Sequence, residues 1–213
     1  MTSRVRPTAL GVAIVAPLGA FVSFSLARGD RRVIAYLLVW GLLAGLIAGV
    51  HRRWPVRRAT LWALVVAGWI HLAGGLLPSP DRGAPILYET WLVPGVLKFD
   101  QLAHATICAI VTVAVFEVLG YLLDPAQASP AVRAALAAFV CWGFGGANEL
   151  FEFLSALRFT DAYVGGLDNT GWDLAFNTLG SVTAALVLIA LSADGLPRWS
   201  RAPSPAWPAG SRC

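Results

Sequence analysis

Six stretches of about twenty residues, almost free of charge, constrain this chain more than any other feature of its sequence. They span residues 10–27, 33–50, 59–77, 99–123, 131–157 and 171–191, and the first two contain no Asp, Glu, Lys, Arg or His. A helix needs about 20 mostly apolar residues to cross the hydrocarbon core of a bilayer. Only 13% of the chain is charged and 57% is hydrophobic, against about 25% charged in a soluble domain, so a water-facing surface of this size cannot be built. Disorder is excluded by the apolar content, and three cysteines are too few for a disulfide scaffold. The expected fold is all-α, a polytopic transmembrane bundle of about six spans. It forms one domain over residues 1–193, and the Pro-rich tail 194–213 is expected to be disordered.

Short connectors rich in Arg, Gly and Pro separate the runs, as turns at a membrane surface require. The connector 78–98 is longer and mixes Tyr88, Trp91 and Leu92 with Glu89 and Lys98, which suits an interfacial segment or a plain loop. With a cytoplasmic N-terminus, ten Arg fall on the inner side and six Arg or Lys on the outer side. By the positive-inside rule both termini are then cytoplasmic. The start, with Arg4 and Arg6 ahead of an apolar stretch, is too long in its apolar part for a secretory signal and reads as an uncleaved first span.

The polar residues kept inside the runs carry the functional information. In this topology His71, Asp100, His104, Glu149, Glu152, Asp173 and Asn177 all fall at the outer end of the last four spans. At 1.5 Å rise per residue their depths differ by about two helical turns. Asp100 and His104 are four apart, Glu149 and Glu152 three, Asp173 and Asn177 four, and such spacings put both members on one helix face. Asp100-Gln-Leu-Ala-His104 and Asp173-Leu-Ala-Phe-Asn177 repeat one pattern. Asp168, in the Gly-rich loop Gly165-Gly-Leu-Asp-Asn-Thr-Gly171, is expected to hang over the group.

Charged groups inside lipid cost a few kcal/mol each, so they should converge inside the bundle. Two Glu on one face repel when both are ionised; a proton, a cation or charged His104 is expected between them. Simpler readings stand beside this: Asp100 and Asp173 as helix N-caps, His71 as a helix–helix hydrogen bonder, and Cys108 and Cys141 as small packing residues. Glu117, near the opposite surface, is expected close to Arg133. His104, Glu149, Glu152 and Asp173 offer one nitrogen and several oxygens, a set that suits a divalent cation such as Mg, Mn or Zn. HExxH, Walker and Gly-x-Ser-x-Gly motifs are absent from the sequence, as is the paired Glu-x-x-His of di-iron proteins.

Phe99-Asp-Gln-Leu-Ala-His104, Glu149-Leu-Phe-Glu152 and Trp172-Asp-Leu-Ala-Phe-Asn-Thr-Leu-Gly180 resemble, in order, motifs of the VanZ-like and YjdF-like bacterial polytopic membrane proteins. The matching positions are Asp100, His104, Glu149, Glu152, Asp173, Asn177 and Gly180. Glu152 stands where VanZ-like proteins often have Gln, and Asn177 where the YjdF-like group often has Asp. The resemblance implies a multi-pass protein of the bacterial inner membrane and, through VanZ, an association with the cell envelope.

Two functions are open on these grounds. One is an enzyme acting on a lipid-linked or cell-envelope substrate, with Glu149, Glu152, His104 and Asp173 catalytic and Asp100, Asn177, Asp168 and His71 binding substrate. Glu149 or Glu152 would be the base, His104 the acid/base partner, and Asp100 or Asp173 would orient it or hold a cation. The other is a permease-like or cation-binding protein without catalysis. Membrane lipids are the expected partners, and nucleic acid is not one.

Overall fold

The computed structural model describes residues 7–124, 126–158 and 166–193. Its six long helices are α1 (Pro7–Ala27), α2 (Arg32–Arg53), α3 (Arg58–Leu76), α4 (Phe99–Leu122), α5 (Pro130–Arg158) and α6 (Leu167–Ala193). Each apolar run expected to cross the membrane is one of these helices. Five are long and apolar enough to span a bilayer, and the described apolar part of the first is Gly11–Ala27. The fold is a helical membrane bundle. The tail 194–213 lies outside the described residues.

The helices pack in two groups. The first is α1, α2 and α3, sealed by Val33, Leu72 and Leu76 against Leu18, Phe21 and Trp40. The second is α4, α5 and α6, centred on Phe116, Ala134, Ala137, Ala185 and Leu188. Helix α4 contacts α3 on one side and both α5 and α6 on the other, so it links the groups. Lipid tails supply no hydrophobic drive between helices, and close packing of small residues takes its place. Ala134, Ala137, Cys141 and Gly145 form a buried seam on α5 that ends at buried Glu149, each residue three or four after the last. On α6 Gly180 abuts the Ala105 backbone of α4 so closely that a Cβ there would overlap its carbonyl.

The connector 78–98 is not a plain loop. It holds a 3₁₀ turn (Leu87–Glu89) and a two-stranded antiparallel hairpin, β1 (Trp91–Val93) and β2 (Leu97–Lys98), whose turn uses Gly95 at φ +71°. Asp81 Oδ2 accepts from Trp91 N at 2.8 Å, Ser79 and Thr90 hydroxyls meet at 2.7 Å, and Lys98 Nζ pairs with Glu89 Oε2 at 2.7 Å. These bonds hold the segment over one end of the bundle, the end where α4 and α6 begin.

At the other end Glu117 has a partner different from the one expected. Its oxygens accept from Arg57 N at 2.7 Å and Thr60 Oγ1 at 2.6 Å, and Arg57 Nε lies 3.9 Å away. Arg133 instead places its guanidinium carbon 3.9 Å from the centre of the Phe116 ring. The correction has a simple cause: Glu117 lies on the face of α4 turned to α3, not to α5.

Candidate functional site

At the hairpin end α4 and α6 begin side by side and run the same way, while α5 arrives antiparallel. The repeated Asp-x-x-x-polar pattern is thereby brought face to face. His104 of α4 and Asn177 of α6 are joined, Nδ1 to Oδ1, at 3.0 Å. His104 Nε2 lies 3.4 Å from Asp100 Oδ1 and 3.8 Å from Asp173 Oδ1. Asp100, Asp173 and Asn177 are buried, at 7%, 0% and 2% exposure.

Helix α5 adds the second pair of carboxylates. His104, Glu149 and Glu152 each offer a ligand atom, and these lie within 4.8 Å of one another; the same holds for Asp100, His104 and Asp173. Glu149 is buried, whereas Glu152 is partly exposed. Four carboxylates thus surround one imidazole, which neutralises at most one of them. Such an excess of negative charge in a low-dielectric interior must be balanced by protons or by a cation.

Six of the eight residues singled out from sequence therefore meet: Asp100, His104, Glu149, Glu152, Asp173 and Asn177. His71 sits one layer away. Its Nδ1 meets Tyr88 Oη at 2.8 Å, and its ring is 5.1 Å from that of Tyr36. Asp168 does not hang over the cluster from a loop. Helix α6 begins one turn earlier than the Gly-rich stretch suggests, at Leu167, and places Asp168 in its first turn. Gly166 O accepts the Asn169 amide at 2.9 Å, and an acidic side chain is favoured at a helix start by the dipole. Asp168 is exposed beside Leu167, Gly171, Trp172 and Ala175, and lies five residues, or about 140°, from Asp173. Since Asp173 consequently sits in the second turn of α6, it is not an N-cap.

Three polar contributors escaped the sequence reading. Asn169 donates its amide to Asp100 Oδ2 at 3.3 Å and, in a short bond, to Asp173 Oδ2. Asn148 donates to Glu152 Oε1 at 2.8 Å and reaches Glu149 Oε1 at 3.4 Å, so an amide bridges the two Glu. Tyr88 comes from the hairpin segment, and Gly74 leaves room for its ring, since a Cβ there would overlap it. Burial holds the Tyr88 phenol well above its ordinary pKa, and Tyr36 and the carboxylates of Asp100, Glu152 and Asp173 push the same way. For Asn169 the signal was available, four residues before Asp173 on one helix face. For Tyr88 nothing in the sequence announced the fold-back.

Cys108 and Cys141 are buried free thiols. Cys108 Sγ donates to Asn177 Oδ1 at 3.0 Å, and Cys141 Sγ to the Cys108 carbonyl at 3.3 Å. The first therefore helps orient the Asn177 amide besides filling space.

Long apolar helices around a buried His/carboxylate cluster define a polytopic integral membrane protein with a polar centre at one end of its bundle. The chain belongs to the family described as "Predicted membrane protein (DUF2238)", whose model matches residues 9–194. No curated protein and no solved structure matches it.

Proposed function

We propose that the polar cluster is the working site of a membrane-embedded hydrolase or transferase acting on a lipid-linked or cell-envelope substrate. The observation that supports this most is the division of the cluster into two unlike halves around His104. One half is Asp100, Asp173 and Asn177, all buried and in contact with the imidazole. The other is the Glu149/Glu152 pair, whose outer member, Glu152, is partly exposed. Glu152 is the general base in this reading: it takes a proton from a water or substrate hydroxyl, whose oxygen then attacks an ester or phosphoester centre. A proton on His104 or a cation held by the opposite half would supply the positive charge that stabilises the oxygen developing negative charge, and Glu152 returns the proton it took to the leaving oxygen. Lipid-facing Phe151, Phe153 and Leu154 beside Glu152 on α5 suit a substrate that arrives with an acyl or prenyl tail.

The basic-residue distribution favours placing the cluster on the outer side with both termini cytoplasmic. The VanZ-like and YjdF-like motifs favour a bacterial inner membrane and an envelope role. Glu149→Gln and Glu152→Gln should leave the protein folded and abolish its envelope phenotype; unchanged lipid and envelope profiles in both variants count against catalysis. The excess of carboxylates over imidazole also favours a carrier of protons or cationic solutes. Proton-coupled uptake into proteoliposomes that vanishes in Glu152→Gln would establish that reading instead.

A further inference from the structure

We infer that His104 Nε2, Asp100 and Asp173 hold a divalent cation that accepts mixed nitrogen and oxygen ligands, Zn²⁺ or Mn²⁺, where α4 and α6 begin. This rests on the reading of the cluster as the working site, and it names the source of the positive charge facing Glu152.

The hydrogen-bond pattern around His104 carries the inference. Asn177 Oδ1 is an acceptor and already takes the Cys108 thiol, so His104 Nδ1 is the ring nitrogen that donates, at 3.0 Å. A metal-bound histidine is held in this way, with its second ring nitrogen donating to a fixed acceptor. Nε2 then faces Asp100 Oδ1 and Asp173 Oδ1 at 3.4 and 3.8 Å. Both separations exceed the roughly 2.7–3.2 Å of a good N–H···O bond. Two ligands of a tetrahedral ion, each about 2.1 Å from it, are about 3.4 Å apart.

The carboxylates are posed to match. Asn169 binds the Oδ2 of each aspartate and so turns both Oδ1 atoms toward Nε2. Asp173 has 0% exposure, and its Oδ1 has no hydrogen-bond partner among the described residues. Glu149 Oε2, also buried, has none either, and one carboxylate oxygen of Glu149 lies within 4.8 Å of a ring nitrogen of His104. Two carboxylates and a neutral imidazole carry two negative charges, which a divalent cation cancels. One nitrogen with carboxylate oxygens is a set that suits Zn²⁺ or Mn²⁺.

The test uses the full chain in detergent, stripped by a chelator and titrated with ZnCl₂ or MnCl₂ alone. Wild type should take up about one equivalent. Asp173→Asn and His104→Gln should weaken uptake at least about tenfold, and Asn177→Ala by about 10- to 100-fold through loss of the orienting bond. Glu152→Gln should retain uptake to within about threefold, since Glu152 is outside the ligand set. Mn²⁺-loaded wild type should also show ¹⁴N coupling from one imidazole in pulsed EPR, which requires no variant to fold. No stoichiometric uptake, no ¹⁴N coupling, or loss of uptake in Glu152→Gln with retention in Asp173→Asn overturns the inference. A protein that takes up no cation but loses its envelope phenotype in Glu152→Gln overturns the cation site and keeps the catalytic reading. A protein that takes up the cation and keeps its phenotype in both Gln variants does the reverse.

Discussion

Gly180→Ala tests whether the site depends on the contact between α4 and α6. A Cβ at position 180 would overlap the Cα, carbonyl carbon and oxygen of Ala105. These are backbone atoms of a continuous helix, so no side-chain rotation relieves the overlap, and the helices must part by about 1 to 1.5 Å to approach van der Waals contact. His104 immediately precedes Ala105, and Asn177 lies one turn before Gly180. The same displacement would stretch their 3.0 Å bond to about 4 Å or more, outside hydrogen-bond range. Overpacking of this kind costs about 1–3 kcal/mol and the lost bond about 1 kcal/mol, giving about 2–4 kcal/mol together. On the scale of soluble domains of this size that is a fall of about 4–16 °C in melting temperature, measurable by circular dichroism in detergent. Gly143→Ala on α5 is the control: nothing lies within 4 Å of its added Cβ, and a helix-interior Gly→Ala change stabilises by about 0.5–1 kcal/mol. If Gly180→Ala melts within a degree or two of wild type, or both variants shift alike, the close contact does not hold the site together.

Three further outcomes are expected. Tyr88→Phe removes the hydroxyl that meets His71 Nδ1 at 2.8 Å and should cost about 1–2 kcal/mol; because burial keeps that phenol protonated, absorbance near 295 nm up to about pH 11 should not differ between variant and wild type. Glu117→Ala takes the acceptor from Arg57 N and Thr60 Oγ1 and should destabilise by about 2 kcal/mol or more, whereas Glu117→Gln should cost less in the same melting assay. Between α1 and α2, Arg32 binds both oxygens of Asp30 at 2.9 and 2.6 Å, and this bonding holds the carboxyl below its ordinary pKa. With the folded value below the unfolded one, the contribution is full above about pH 4 and is lost as pH falls through the folded value. Asp30→Asn should flatten that part of the stability curve, and an unchanged acid limb would refute the assignment.

Much of the fold was visible in the chain because a bilayer imposes simple rules. Backbone groups in hydrocarbon must be paired within their own helix, so each apolar run had to be a helix, and the run lengths located all six. The site was visible for a related reason. A carboxylate inside lipid is costly wherever it sits, so Glu149, Glu152, Asp100 and Asp173 stood out against Leu, Val and Ala, and their spacing placed each pair on one face. The Gly-rich stretch before α6 was misleading, because Gly166 acts as a helix start and Leu167 and Asp168 already belong to the helix. The hairpin was missed because its strands have three and two residues, too short for alternation to register.

Which polar groups would share one end of the bundle was therefore determined by the order and spacing of residues along six helices. Which atoms would touch was not. That Asn169 rather than Asp168 binds the two aspartates, that Asn148 bridges the glutamates, and that Glu117 meets Arg57 rather than Arg133 all depend on how each helix is rotated about its axis. That rotation is fixed by contacts between small residues on different helices, Gly180 against Ala105 and the Ala134, Ala137, Cys141 and Gly145 seam of α5. These contacts join residues far apart in the chain and leave no local mark on either segment.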